Sequence, residues 1–172
     1  RNVGKKLAPK ATLNASTVTL KVKQSTSRLK VTGLAKGDSV KSWKSSNSKI
    51  FTVRGKSNGT CKITGKKRGT AKLQITLASG LKKTVKVRVQ TAAVKTSKIT
   101  VSKNVTVKKG KRVTLKPVVT PFTSRQKVTY TSSNKKIATV SSKGVVTGKK
   151  KGTVKITVKS GSKSVKVTVK VK

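Results

Sequence analysis

The chain has 172 residues, of which 45 are Lys or Arg and only one, Asp38, is acidic; with no histidine, the formal charge is +44. That composition removes the side chains on which general acid–base catalysis, a Ser-His-Asp triad and zinc or calcium sites depend, so no catalytic residue, metal ligand or cofactor site is expected. Low apolar content (32%, with 2% aromatic) beside high net charge is the composition of disorder, but here the apolar residues are patterned.

Residues 1–10 read as an N-terminal extension. The chain starts Arg1-Asn2 and contains no methionine, which fits a fragment or a processed product. Val18-Thr19-Leu20 opens the first strand-like stretch, and Lys36-Gly37-Asp38-Ser39 reads as a turn. Trp43-Lys44-Ser45-Ser46-Asn47-Ser48-Lys49-Ile50-Phe51-Thr52-Val53 follows, with Trp43 expected in the core and Phe51 expected to be partly buried. Asn58-Gly59 is a tight-turn signal for a hairpin. Beyond it, Cys61 shares a strand face with Ile63 and reads as a small core thiol. Turn signals recur at Gly33, Gly37, Gly55, Gly65, Gly69 and Gly80. Val85, Val87 and Val89 alternate with Lys86 and Arg88, the period-two pattern of a half-buried strand. Lys82, Lys83, Lys86 and Arg88 are expected on its outer side. Residues 91–96 look like a short link.

The pattern then repeats. Tyr130-Thr131-Ser132-Ser133-Asn134-Lys135-Lys136-Ile137-Ala138-Thr139-Val140 matches the Trp43 segment at an offset of 87, with seven of eleven positions identical. Thr147-Gly148-Lys149-Lys150-Lys151-Gly152-Thr153 matches Thr64-Gly65-Lys66-Lys67-Arg68-Gly69-Thr70 at an offset of 83, so the first copy holds four extra residues between the two motifs. They fall around residues 55–59, where a longer hairpin absorbs them. Tyr130, equivalent to Trp43, is expected in the core, and Phe122 is expected to be exposed. Val165, Val167, Val169 and Val171 close the second copy, with Lys163, Lys166 and Lys170 expected on the outer side. Units near 80 residues with turns at this spacing imply an all-β protein of two tandem antiparallel β-sandwich domains, residues 11–91 and 92–172.

The run Trp/Tyr-x-Ser-Ser-Asn-x-x-Ile-x-Thr-Val, followed by Thr-Gly, a basic pair and Gly-Thr, resembles the bacterial immunoglobulin-like domains of group 2. The resemblance implies that both sandwiches are immunoglobulin-like, of the kind strung in tandem on secreted or surface proteins of bacteria and phage. It transfers no binding residue, because the shared motif is architectural. Asn14, Asn58 and Asn104 begin glycosylation-type sequons that chance accounts for in a chain this rich in Ser and Thr.

Solubility requires a net charge of only about 2–8, and excess like charge destabilises a compact state. An anionic partner is therefore expected. Basic residues at turns reach furthest, and three clusters stand out as polyanion-binding candidates: Lys66, Lys67 and Arg68; Lys108, Lys109, Lys111 and Arg112; and Lys149, Lys150 and Lys151. Teichoic acid, an acidic glycan or nucleic acid would each supply the charge. Base reading is disfavoured because exposed aromatics are scarce. The leading expectation is a secreted or cell-surface module that adheres to anionic polymers. A structural spacer or filament subunit with an acidic protein partner, and a nucleic-acid-condensing protein, stay open. No apolar run is long enough to span a membrane as a helix.

Overall fold

The computed structural model describes residues 7–172; residues 1–6 of the expected N-terminal extension lie outside them. The chain divides into two units between Val94 and Lys95. The first contains β1 (Thr12–Leu13), β2 (Thr17–Lys21), β3 (Ser25–Thr26), β4 (Val31–Thr32), β5 (Val40–Ser45), β6 (Phe51–Gly55), β7 (Cys61–Gly65), β8 (Gly69–Leu77) and β9 (Lys82–Gln90). The second contains β10 (Lys98–Thr100), β11 (Asn104–Val107), β12 (Arg112–Thr114), β13 (Val118–Thr120), β14 (Val128–Ser132), β15 (Ala138–Val140), β16 (Val145–Gly148), β17 (Gly152–Ser160) and β18 (Lys163–Val171).

Strand for strand, the two units have the same topology. A four-stranded sheet runs β2-β9-β8-β5 in the first and β11-β18-β17-β14 in the second. The three-stranded sheet is β3-β7-β6 in one and β12-β16-β15 in the other, and a two-stranded ribbon is β1-β4 or β10-β13. All pairs are antiparallel except β2 with β9 and β11 with β18, where the second strand of each unit lies parallel to its last. Each unit is thus an all-β, immunoglobulin-like sandwich.

Alternation determines which face is buried. Along β8, Ala71, Leu73, Ile75 and Leu77 are buried while Lys72 and Gln74 are exposed. Along β17, Val154, Ile156 and Val158 are buried while Lys155 and Lys159 are exposed. In the second unit these residues meet Val146, Val167 and Val169 in one apolar cluster. Fully burying a Val or Leu side chain contributes about 1.5–3 kcal/mol, so a core this poor in aromatics depends on the number of its aliphatic residues.

The motif present in both copies builds corners. Asn47 and Asn134 each accept a hydrogen bond through Oδ1 from the backbone N–H two residues on, at 3.0 Å in both cases. Ser46 Oγ accepts from the Lys72 N–H at 2.8 Å, and Ser133 Oγ from the Lys155 N–H at 3.0 Å. The second serine therefore fastens the chain leaving β5 or β14 to the neighbouring long strand, and the asparagine closes the corner beside it. A side chain that bonds locally to backbone in this way stabilises a turn.

Burial of the aromatic residues differs from the sequence expectation. Phe51 is completely buried, not partly so, and its equivalent Ala138 is completely buried as well. Trp43 and Tyr130 are half-buried rather than core residues, and Phe122 is also half-buried rather than exposed. The reason is placement: Trp43 and Tyr130 lie over glycines at the sandwich edge. A Cβ on Gly55 would sit 2.0 Å from Trp43 Cδ1, and one on Gly144 would sit 2.8 Å from Tyr130 Cζ. Trp43 Nε1–H donates to the Lys56 carbonyl at 3.1 Å, which satisfies the polar end of the ring.

Candidate functional site: basic faces and turns

The four-residue difference between the copies has a specific structural form. The turn joining β6 to β7 has Lys56 N–H bonded to the Thr60 carbonyl and Gly59 N–H bonded to the Lys56 carbonyl. The turn joining β15 to β16 repeats both bonds with Ser141, Val145 and Gly144. The turns are equivalent, so the extra residues are Arg54 and Gly55 on one arm and Cys61 and Lys62 on the other. They form two added rungs, Arg54 opposite Lys62 and Gly55 opposite Cys61. Gly55 therefore belongs to a strand and not to a turn. Two residues per arm preserve the period-two alternation, which places Cys61 inward and Lys62 outward.

Cys61 is buried, and its thiol donates a weak bond to the Leu29 carbonyl at 3.5 Å. Burial pushes its pKa up to about 11, the opposite of what a reactive thiolate needs. The sole carboxylate is also committed to the fold. Asp38 Oδ2 accepts from Ser79 Oγ–H at 2.6 Å, and Oδ1 accepts from the N–H groups of Ser79 and Ser39 at 3.1 and 2.9 Å. These bonds hold its carboxyl below the usual carboxylate range, with the Ser79 hydroxyl the largest cause. The described residues contain no group of three His, Cys, Asp or Glu that could hold a metal ion, and no helix long and apolar enough to cross a membrane.

All ten basic residues singled out at turns are exposed. Lys66, Lys67 and Arg68 join β7 to β8, and Lys149, Lys150 and Lys151 join β16 to β17. Lys108, Lys109 and Lys111 lie in the turn after β11, and Arg112 opens β12. Two of the three clusters meet: Gly110 N–H bonds to the Gly148 carbonyl at 2.9 Å, and Gly148 N–H bonds to the Lys111 carbonyl at 3.0 Å. The turn 108–112 is thus held against the residue that precedes Lys149. A side chain at 148 would crowd that approach, since a Cβ there would stand 3.0 Å from the Lys108 carbonyl oxygen.

The sheet faces carry a second basic arrangement. In the second unit, Lys155 pairs with Thr168, Thr157 with Lys166, Lys159 with Ser164 and Thr153 with Lys170. Lysine and hydroxyl residues therefore alternate across the β17–β18 ladder. The order Lys159, Lys166, Lys155, Lys170 forms a zigzag of exposed cations on successive diagonals, each about 7–8 Å long. In the first unit, Lys82, Lys86 and Arg88 share the outer face as expected. Lys83 and Lys163 do not: each shares a side with the inward valines, Lys83 half-buried and Lys163 exposed at its strand end. Their odd positions in the alternation account for this.

Residues 94–171 match the family model of the bacterial Ig-like domain (group 2). No curated protein matches the chain. Among solved structures, domains 4 and 5 of the S-layer protein SbsC are similar at 25% identity and a TM-score of 0.45, covering 96% of this chain and 98% of that one. A longer structure of the same S-layer protein is 27% identical with a TM-score of 0.43, over 84% of this chain and 23% of that one. A xylanase from termite gut that contains a bacterial Ig-like domain is 27% identical with a TM-score of 0.35, over 40% of this chain and 18% of that one.

Proposed function

We propose that this pair of bacterial Ig-like domains of group 2 is a non-enzymatic, secreted or cell-surface module that adheres to anionic polymers through charge density. The observation that carries the reading is that the positive charge has no internal counterpart. One carboxylate stands against 45 basic residues, and that carboxylate is taken up by Ser39 and Ser79. Self-repulsion of this size destabilises a fold unless counterions or a partner offset it. The exposed turn clusters and the β17–β18 zigzag supply closely spaced cations with hydroxyls between them, suited to a repeating anionic backbone. Lysine acts as a compact, hydrated point charge and not as a planar fork, so recognition is of charge spacing more than of one shaped group. A surface location agrees with the setting that the family resemblance implies.

Retention of the purified chain on teichoic-acid-type poly(glycerol phosphate), a heparin-like glycan, duplex DNA and neutral dextran, across a salt series, tests this. The expected result is retention on all three polyanions at about 0.15 M salt and none on dextran. The logarithm of affinity should fall linearly with the logarithm of salt, as counterion release dictates. Absence of retention at that salt, or retention undiminished in molar salt, overturns the proposal.

A further inference from the structure

The two added rungs of the β6–β7 hairpin do more than lengthen it. They place Arg54 directly opposite Lys62 on the outward side of the three-stranded sheet. Like charges directly opposite on a sheet are unfavourable, and here the pair is the product of an insertion that the second domain lacks. Two rungs away, on the same face, Thr52 pairs with Thr64, and Thr64 pairs in turn with Ser25; the Thr64 and Ser25 hydroxyls are 2.9 Å apart. Three hydroxyls thus form a row across the sheet. On the far side of that row stands Lys66, two residues beyond Thr64. Lys62, Thr64 and Lys66 recur at every second position, about 6.6 Å apart where the chain is extended. The hydroxyl row is therefore bracketed by cations on both sides. Thr52, Arg54, Lys62, Thr64 and Lys66 line one open pocket of about 220 Å³.

We propose that this pocket is a discrete phosphate site, specific to the first domain, within the polyanion-binding surface; it rests on the adhesive reading above. A phosphate seated on Thr52 and Thr64 accepts their hydroxyl hydrogens, with Ser25 donating to Thr64. The Arg54 guanidinium can donate two parallel N–H bonds to a pair of phosphate oxygens. Lys62 and Lys66 add point charges from opposite sides. The ligand relieves the repulsion between Arg54 and Lys62. In the second domain Thr139 still pairs with Thr147, Lys149 follows, and Arg112 takes the place of Ser25. The cation rung itself is missing there.

The first domain also supplies a matched control. Lys72 stands opposite Lys86 on the four-stranded sheet, another like-charged rung, but outside this pocket. Arg54→Gln/Lys62→Gln and Lys72→Gln/Lys86→Gln remove the same charge. Titration with inorganic phosphate at fixed ionic strength, followed by amide chemical shifts, should move Thr52 and Thr64 in the wild type. Affinity should fall at least tenfold in the first double variant and less than twofold in the second. Thermal melts check folding, and Thr52→Val, which keeps every charge, should also weaken phosphate. Tight binding of free phosphate identifies a free or terminal phosphate as the ligand. Binding of poly(glycerol phosphate) at the same residues without free phosphate identifies a backbone diester. Equal loss in both double variants, or no shift at Thr52 and Thr64 with either inorganic phosphate or poly(glycerol phosphate) while the chain still adheres to polyanions, overturns the site and leaves the adhesive reading standing. Failure of wild-type adhesion overturns that reading separately.

Discussion

At the scale of single residues, the scarce side chains are the ones most firmly assigned to structure. Asp38 ties the turn after Ala35 to the β8–β9 turn through Ser79. Hydrogen bonding to its charged form lowers its pKa from 3.8, so the folded state releases this proton more readily than the unfolded state. The stabilisation is complete above the unfolded pKa and is lost as pH falls through the folded one. Asp38→Ala should therefore melt below the wild type at pH 7, and the gap should close as pH drops below 3.8. A gap that is constant with pH, read by thermal melts across the acid range, would mean that the hydroxyl and amide bonds to the carboxylate contribute nothing. The sequence identified Asp38 as a turn residue but not its partner, because Ser79 is 41 residues away and serine occurs throughout the chain. Trp43 and Tyr130 were legible as equivalents; their half-burial was not, because it depends on glycines brought beneath them by the fold.

At the scale of elements, alternation made β9 and β18 readable and the offset change located the long hairpin. The distribution of the extra residues as two on each arm was hidden, because neither arm resembles its counterpart closely enough to align. Physically it follows from the two-residue period of a strand: only an even insertion on each arm leaves the core face unchanged. Removing Arg54, Gly55, Cys61 and Lys62 together should accordingly yield a folded domain with the hairpin of the second copy, at a cost of about 1–2 kcal/mol, mostly from the loss of buried Cys61. Deleting Lys62 alone puts β7 out of phase and should cost more than about 3 kcal/mol, the scale of emptying a buried Ile position. Urea melts of the two deletions should rank them in that order; the reverse would mean that register is not set by this hairpin. A second element, the hydroxyl cluster of buried Thr96 and Ser160 with half-buried Ser124 and Gln126, was invisible in the sequence. Its members look like any other Ser or Thr until the fold encloses them.

At the scale of the whole molecule, charge decides how solution conditions act. Histidine is the side chain whose ordinary range spans neutrality, and none is present. The one side chain whose ordinary pKa lies between pH 5 and 8 is therefore missing, and pH is a weak lever there. Salt is a strong one. The diagonal spacing of about 7–8 Å on the β17–β18 face lies well inside the Debye length of about 30 Å at 0.01 M and close to the value of about 8 Å at 0.15 M. Repulsion among exposed cations is thus nearly unscreened at low salt and substantially screened near physiological strength. A protein held together by surface ion pairs loses stability over that interval; this one should gain it. A relief of about 1–2 kcal/mol per domain would raise the melting temperature by about 4–16 °C for units of this size, and most of the rise should come before 0.15 M. Replacing chloride by phosphate at equal ionic strength isolates binding from screening. A further rise in phosphate, abolished by Arg54→Gln/Lys62→Gln, would mean that specific occupancy adds to the screened baseline. Melting curves that coincide in the two salts would mean that the charge of this chain acts only through its ion atmosphere.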